Sequence, residues 1–256
     1  MPKVVELYET LNAKFPSSYS SSWDNDGLML SADPCREVNR VLCTLDVTDE
    51  AVEHAISNDY DVIISHHPLI FKGINSLNAA DNKTRRILKL LDHNISVMSF
   101  HTRLDAAPGG LNDVFAKLLG LTDVSVVNCD GEAICRIGTL SIAQSPAEFA
   151  SFVKKTLNAE RILYAESGEV VKRVAICGGN GKDFVKAAKA AGADSYLTGQ
   201  LSYNLMLEAK DIGLNLFEAG HFHTEDFITS YITLIILKEY TQVQTGYFNS
   251  NLVKVV

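Results

Sequence analysis

Three short segments of this chain put imidazoles and carboxylates at spacings that suit metal ligation. The first is Ser65-His66-His67-Pro68, which follows the apolar run 61–65. Neighbouring side chains on a strand point to opposite faces, so both histidines reach one site only if the chain turns there. Pro68 favours extended backbone at His67 and helps to end the strand. Two splayed imidazoles suit two metal ions better than one. The second segment is His101-Thr102-Arg103-Leu104-Asp105, leaving the run 94–100. Asp105 offers a hard oxygen ligand, and His101 reads as a ligand or as a group that supports one. The third is Gly220-His221-Phe222-His223-Thr224-Glu225. A helix starting near His221 sets His221 and Glu225 one turn apart on one face. That pair can chelate one ion or bridge two, while His223 points elsewhere.

Taken singly, each segment has a plainer reading. His66 and His67 could be a solvated loop pair, Asp105 a turn residue before Pro108-Gly109-Gly110, and His221 with Glu225 an exposed helical ion pair. The coincidence carries the argument. Of seven histidines, His66, His67, His101 and His221 fall where strands hand over to loops, whereas His54 and His93 lie in helical stretches and read as surface residues. His66, His67 and His221 with Asp105 and Glu225 can serve two divalent ions of mixed nitrogen and oxygen preference: Zn, Mn, Fe, Co or Ni. No thiolate accompanies them, which argues against a structural cysteine-type zinc site.

The elements that must position these groups follow from periodicity. Val4, Leu7, Tyr8, Leu11 and Phe15 mark one face of a helix over 3–15. A Ser-rich loop and the turn Trp23-Asp24-Asn25-Asp26-Gly27 come next. Strands are expected at 38–45, 61–65 and 94–100, and helices at 49–58, with Thr48 as N-cap, at 83–93 and at about 110–119. Such alternation implies an α/β fold with a largely parallel sheet.

The second half repeats the first. Val41 matches Val174, Asp61 matches Asp194 and Ser65 matches Thr198, all at one spacing of 133 residues and without gaps. Ile95–Phe100 resembles Leu214–Ala219, so His101 and His221 both lie just past a strand end. The expected halves are 1–125 and 126–256. The second carries an inserted strand, helix and strand within 126–170. The turn Gly178-Gly179-Asn180-Gly181-Lys182 has the look of a phosphate cradle, but it matches neither nucleotide fingerprint. As the counterpart of the Leu45–Asp49 turn, it is expected to be structural.

Composition narrows the function. The 256 residues are 46% hydrophobic and 21% charged, as in ordinary globular proteins. A formal charge of -8 argues against nucleic acid as the main partner. Five cysteines without a CxxC pair argue against a disulfide framework. Glu6 and Glu9 stand where a signal peptide would be apolar, and no apolar run approaches a membrane span. A cytoplasmic protein without a membrane partner is expected.

WDNDGL (23–28), TLDVTDEAV (44–52), SHHPLIF (65–71), HTRLDAAPGGLND (101–113), GADSYLTG (192–199) and EAGHFHTE (218–225) together resemble the GTP cyclohydrolase 1 type 2 homolog family, also called the NIF-three-like family. The resemblance spans nearly the whole chain, in order. It implies two duplicated α/β halves, each a mostly parallel sheet flanked by helices, with a dinuclear metal site in the cleft between them. It also implies a toroidal homohexamer. By motif, His67 and Asp105 would bind one ion, His66 and His221 the other, and Glu225 would bridge, with His101 close by. This chain departs from the family pattern at Arg103, where Asn is usual, and at Gln200-Leu201-Ser202-Tyr203-Asn204. Both departures bear on substrate rather than on metal.

The expected chemistry is metal-assisted hydrolysis of a nucleotide-like small molecule, in which paired ions lower the pKa of water. His101 and Glu225 are the candidate catalytic groups. His101 would move the proton, and Arg103 would steady an anionic group. The rival is a non-catalytic metal-binding ring that stores or senses metal or recruits a partner.

Overall fold

The computed structural model describes residues 1–256. The chain opens with α1 (Val4–Lys14), β1 (Gly27–Leu30), β2 (Arg40–Thr44), α2 (Asp49–Ser57), β3 (Val62–Ser65), α3 (Asn82–Asp92), β4 (Ser96–Ser99) and α4 (Thr102–Ala106). It continues through α5 (Leu111–Leu118), β5 (Thr122–Cys129), β6 (Glu132–Gln144), α6 (Pro146–Thr156), β7 (Leu163–Ala165), β8 (Val171–Cys177), α7 (Val185–Ala190) and β9 (Ser195–Thr198). It closes with α8 (Tyr203–Leu207), α9 (Ala209–Ile212), β10 (Asn215–Glu218), α10 (His221–Glu225), α11 (Phe227–Glu239) and β11 (Gln244–Phe248).

Two compact units result. One comprises Met1–Leu104 and Asp226–Lys254; the other comprises Asp105–Glu225 with the last two residues. The first unit holds a five-stranded sheet in the order β1-β4-β3-β2-β11. Its strands are parallel except for the antiparallel β1 edge. The second holds a six-stranded sheet in the order β5-β6-β8-β9-β10-β7. The expectation of two mostly parallel sheets holds for the first and needs correcting for the second. There only β8-β9 and β9-β10 are parallel, because the β5-β6 hairpin and β7 add antiparallel neighbours on either side.

The boundaries also differ from 1–125 and 126–256. Residues 105–125 belong with the second unit, since α5 packs on β6 and β8. Residues 226–254 return to the first, since β11 pairs in parallel with β2, Gln244 opposite Arg40 and Phe248 opposite Thr44. A segment that adds a strand to a sheet begun some two hundred residues earlier leaves no mark in local periodicity.

The local reasons for these elements are conventional ones. Val62–Ser65 and Ser195–Thr198 are buried along their whole length, as central parallel strands are. Thr48 caps α2 by accepting from the Ala51 amide, and Ala51, Val52 and Ala55 form its buried face. Asp81 caps α3 through the Thr84 amide, and Ser145 with Glu148 forms a capping box on α6.

The repeat holds down to hydrogen-bond register. In the first unit Val41 lies opposite Val62, and in the second Val174 lies opposite Ser195, at the same spacing. The buried Asp61 carboxylate accepts from the amides of Asn39 (2.7 Å) and Arg40 (3.0 Å). The Asp194 carboxylate does the same for Lys172 (3.1 Å) and Arg173 (2.7 Å). Each aspartate thus fixes the start of one strand against the next. Asp61→Ala and Asp194→Ala strand these amides and are each expected to cost about 1–3 kcal/mol in urea unfolding. A cost within the noise of the method at both positions contradicts the clamp.

Candidate metal centre

In the first unit β3 and β4 end side by side, and their exits carry three imidazoles. One ring nitrogen from each of His66, His67 and His101 lies within 4.8 Å of the others. Ring centroids are 5.1 Å apart for His66 and His67, 5.3 Å for His66 and His101, and 5.6 Å for His67 and His101. Each ring donates its Nδ1–H to an oxygen. His66 donates to the Phe100 carbonyl (2.8 Å), His67 to Asp46 Oδ1 (2.7 Å) and His101 to Asp24 Oδ1 (2.9 Å). These acceptors have no proton to give, so Nδ1 carries the hydrogen and Nε2 carries the lone pair.

The carboxylates behind the rings are themselves held. Asp46 accepts from the Ser250 hydroxyl (3.3 Å), and its own amide donates to that hydroxyl (3.1 Å). Asp24 accepts from the Thr102 hydroxyl (2.6 Å) and amide (3.1 Å). Burial by itself would raise the Asp24 pKa, but the hydrogen bonds and charge of His101 and the Thr102 donors outweigh it and bring it down to about 2. Beside His67 a cavity of about 310 Å³ opens, lined also by Asp46, Thr48, Leu69, Lys83 and Arg86.

The second unit supplies Asp105, His221 and Glu225. The expected one-turn pairing on α10 is present, with His221 Nε2 3.0 Å from Glu225 Oε2. His221 Nδ1 lies 3.0 Å from Gln200 Oε1, so with Glu225 at Nε2 this ring has a polar partner on both nitrogens. Both Asp105 and Glu225 are buried. Their charges act on the Cys177 thiol, whose pKa is pushed well up by burial first, then by Cys135, then by Asp105 and Glu225. Around them, Asn112 donates to the Asp105 carbonyl and accepts from the Gly178 amide, and the Gly179 amide donates to Thr224 Oγ1.

A family model described as Duf34/NIF3 (NGG1p interacting factor 3) matches residues 2–251. The chain belongs to the Duf34/NIF3 family. A Clostridium perfringens protein named GTP cyclohydrolase 1 type 2 homolog is 33% identical over 228 residues, 87% of each chain. A Streptococcus pneumoniae protein of the same name is 32% identical over 240 residues, covering 91% of this chain and 89% of its own. Among solved structures, the Staphylococcus aureus protein SA1388 superposes with a TM-score of 0.88 at 28% identity, covering 99% of both chains.

Within this Duf34/NIF3 chain, one expectation changes. Arg103 does not stand ready for an anion. Its guanidinium is buried and donates to Asp26 Oδ1 (2.9 and 2.7 Å) and Asn12 Oδ1 (2.9 Å), and it lies over the Phe100 ring. It therefore fixes the 23–28 turn beneath the histidines. His223 packs on Phe222, apart from the His221–Glu225 pair. Asp24, Asp46, Gln200 and Ser250 went unrecognised as partners. Asp24 had the look of turn chemistry, and Gln200 that of a mere departure. Asp46, Gln200 and Ser250 share a mark of position, since they follow β2, β9 and β11 as the histidines follow β3, β4 and β10, whereas Asp24 precedes β1.

The Gly178–Lys182 turn is structural, as expected, and its glycines are required by neighbours. Tyr196 donates its hydroxyl proton to the Gly181 carbonyl (2.7 Å), and Gly181 donates its amide to Thr198 Oγ1 (3.0 Å). A Cβ on Gly179 would fall 2.1 Å from Glu225 Oε1, and its φ of +61° disfavours side chains in any case. Gly120 has a similar φ of +65° with nothing within 4 Å of its would-be Cβ. Gly120→Ala should therefore cost about 1 kcal/mol from backbone conformation alone. Gly179→Ala should cost clearly more in the same unfolding assay, because Glu225 must also move. Equal costs would mean that Glu225 yields without penalty.

Proposed function

We propose that the chain holds two divalent metal ions with His66, His67, Asp105, His221 and Glu225 as ligands, and uses them to hydrolyse a nucleotide-like small molecule. One observation carries this reading. The three strand-end imidazoles of the first unit, His66, His67 and His101, donate Nδ1–H to an oxygen that has no proton to give, which leaves the lone pair on Nε2. A metal-ligating histidine is held in this way, by a carboxylate or carbonyl behind it. Nitrogen and carboxylate donors without thiolates fit Zn, Mn, Fe, Co or Ni. By the family resemblance, His67 and Asp105 would hold one ion, His66 and His221 the other, and Glu225 would serve both. When bound, such ions supply Lewis acidity and lower the pKa of water toward neutrality.

The chain's own groups have distinct tasks in this reading. Asp24, its pKa brought down to about 2, stays ionised at neutral pH and keeps the His101 proton on Nδ1. His101 Nε2 would then accept a proton from the attacking water, with Asp24 steadying the imidazolium. Lys83, beside the His67 cavity, suits an anionic group of the substrate and takes over the role expected of Arg103, whereas the Arg86 guanidinium there is held by Asp49 and the Val47 carbonyl.

Metal analysis of the purified protein should give two ions per chain. His66→Ala and His221→Ala should each lose an ion, and Asp46→Asn should weaken metal affinity by about 10–100-fold without removing a ligand. The relatives' name makes GTP the first substrate to try, followed by other nucleotides. Glu225→Gln should abolish whatever turnover is found. Stoichiometric metal with no turnover of any nucleotide would end the hydrolase reading and leave storage, sensing or partner recruitment. Protein that stays metal-free when offered zinc or manganese would end both.

The assembly we propose is a homohexamer, the arrangement implied by the family resemblance. Light scattering should give six times the 28.0 kDa chain mass, and a monomer or dimer would contradict it. No helix is long and apolar enough to cross a membrane. The five cysteines are all unbridged, which suits a reducing compartment, and we assign the protein to the cytoplasm.

A further inference from the structure

The segment Trp23-Asp24-Asn25-Asp26-Gly27 braces the histidine cluster from below, and its first residue is exposed. Asp24 holds His101 and Thr102, and Asp26 receives the His101 amide and the Arg103 guanidinium. Asn25 Nδ2 donates to the Ile70 carbonyl, tying this turn to the loop after β3. Gly27 has a φ of +126° and Tyr8 Oη 3.1 Å from its would-be Cβ. Trp23, the chain's one tryptophan, is 53% exposed, and its neighbour Phe71 is 40% exposed. The two rings meet edge to face, with centroids 6.1 Å apart and planes at 69°. Each also meets His101 edge to face at 6.2 Å, at 77° for Trp23 and 85° for Phe71.

We propose that Trp23 and Phe71 form a stacking surface for a planar heteroaromatic ring of the ligand handled at the histidine cluster. This deepens the function proposed above and rests on that cluster being the reaction centre. Single exposed apolar residues are common and carry no meaning, but here two large aromatics are exposed together, against a cluster histidine. The Asn25 hydrogen bond and the Asp24 and Asp26 contacts fix the backbone on which both rings stand, so little side-chain freedom remains to be lost on binding. Rigid aromatics of this kind bind bases in a sequence-tolerant way, because every base has a π-face. A ring stacked here lies beside His101, and an anionic group of the same ligand has Lys83 on the His67 side.

Trp23 reports on its own occupancy. Full-length protein, metal-free and metal-loaded, is titrated with guanosine, adenosine and cytidine, and with ribose 5-phosphate as the ringless control. Saturable quenching by the nucleosides and none by ribose 5-phosphate is expected in both states. By calorimetry, Trp23→Ala and Phe71→Ala should each weaken nucleoside binding about tenfold, whereas Trp23→Phe should largely retain it. Nucleosides that bind Trp23→Ala as tightly as wild type, or that never quench, overturn the proposal. So does a Trp23 shielded from acrylamide at every protein concentration, as a second copy seated on it would cause. Quenching that persists in protein unable to take up metal keeps the stacking surface and removes the metal centre. Metal-loaded protein without quenching removes the stacking surface alone.

Discussion

The candidate centre depends on one repeated interaction, an imidazole Nδ1–H given to an oxygen that cannot move. In His66 the oxygen is a backbone carbonyl, and in His67 and His101 it is a carboxylate. A strand end alone sets where a histidine begins but not how its ring turns. The acceptor settles both the rotation and the tautomer. Much of the surrounding structure serves these acceptors. Thr102 and Asp26 brace the turn that carries Asp24. Ser250, from the far end of the chain, braces Asp46. The return of the C-terminal segment to the first sheet thus has a local purpose, because β11 delivers Ser250 to the end of β2.

The duplication explains how one fold came to present two different donor sets. Equivalent strands keep their register, and Asp61 and Asp194 keep identical jobs. At the strand ends the copies diverge. His66 and His67 correspond to Gly199 and Gln200, and Asp46 corresponds to Gly179. A Cβ at Gly199 would lie 2.6 Å from Thr224 Oγ1, a clash milder than the one at Gly179. In the second copy the space taken by side chains in the first is filled by α10 instead.

Much of this was legible in the sequence. The three motifs, the strand ends on which they sit, the Thr48 cap and the spacing of the repeat all follow from short-range pattern. The His221–Glu225 pair was readable because helical geometry is local. What escaped depended on long-range pairing. Strand β5 is an exposed edge, α11 is apolar on most faces and so lacks a clean stripe, and β11 shows its place only through its partner β2. The acceptors escaped for a related reason. Asp24 meets His101 across 77 residues, and no periodicity links them. Arg103 was misjudged because a charged residue near a site reads as available until its own partners, Asp26 and Asn12, are known.

Tandem repeats are ordinarily open to unequal exchange, in which one copy overwrites its twin. Here that exchange is closed at the strand ends. Copying residues 44–46 over 177–179 would put an aspartate where even a methyl carbon would come within 2.1 Å of Glu225 Oε1. The two copies have therefore become genetically non-interchangeable, and each must now mutate along its own course.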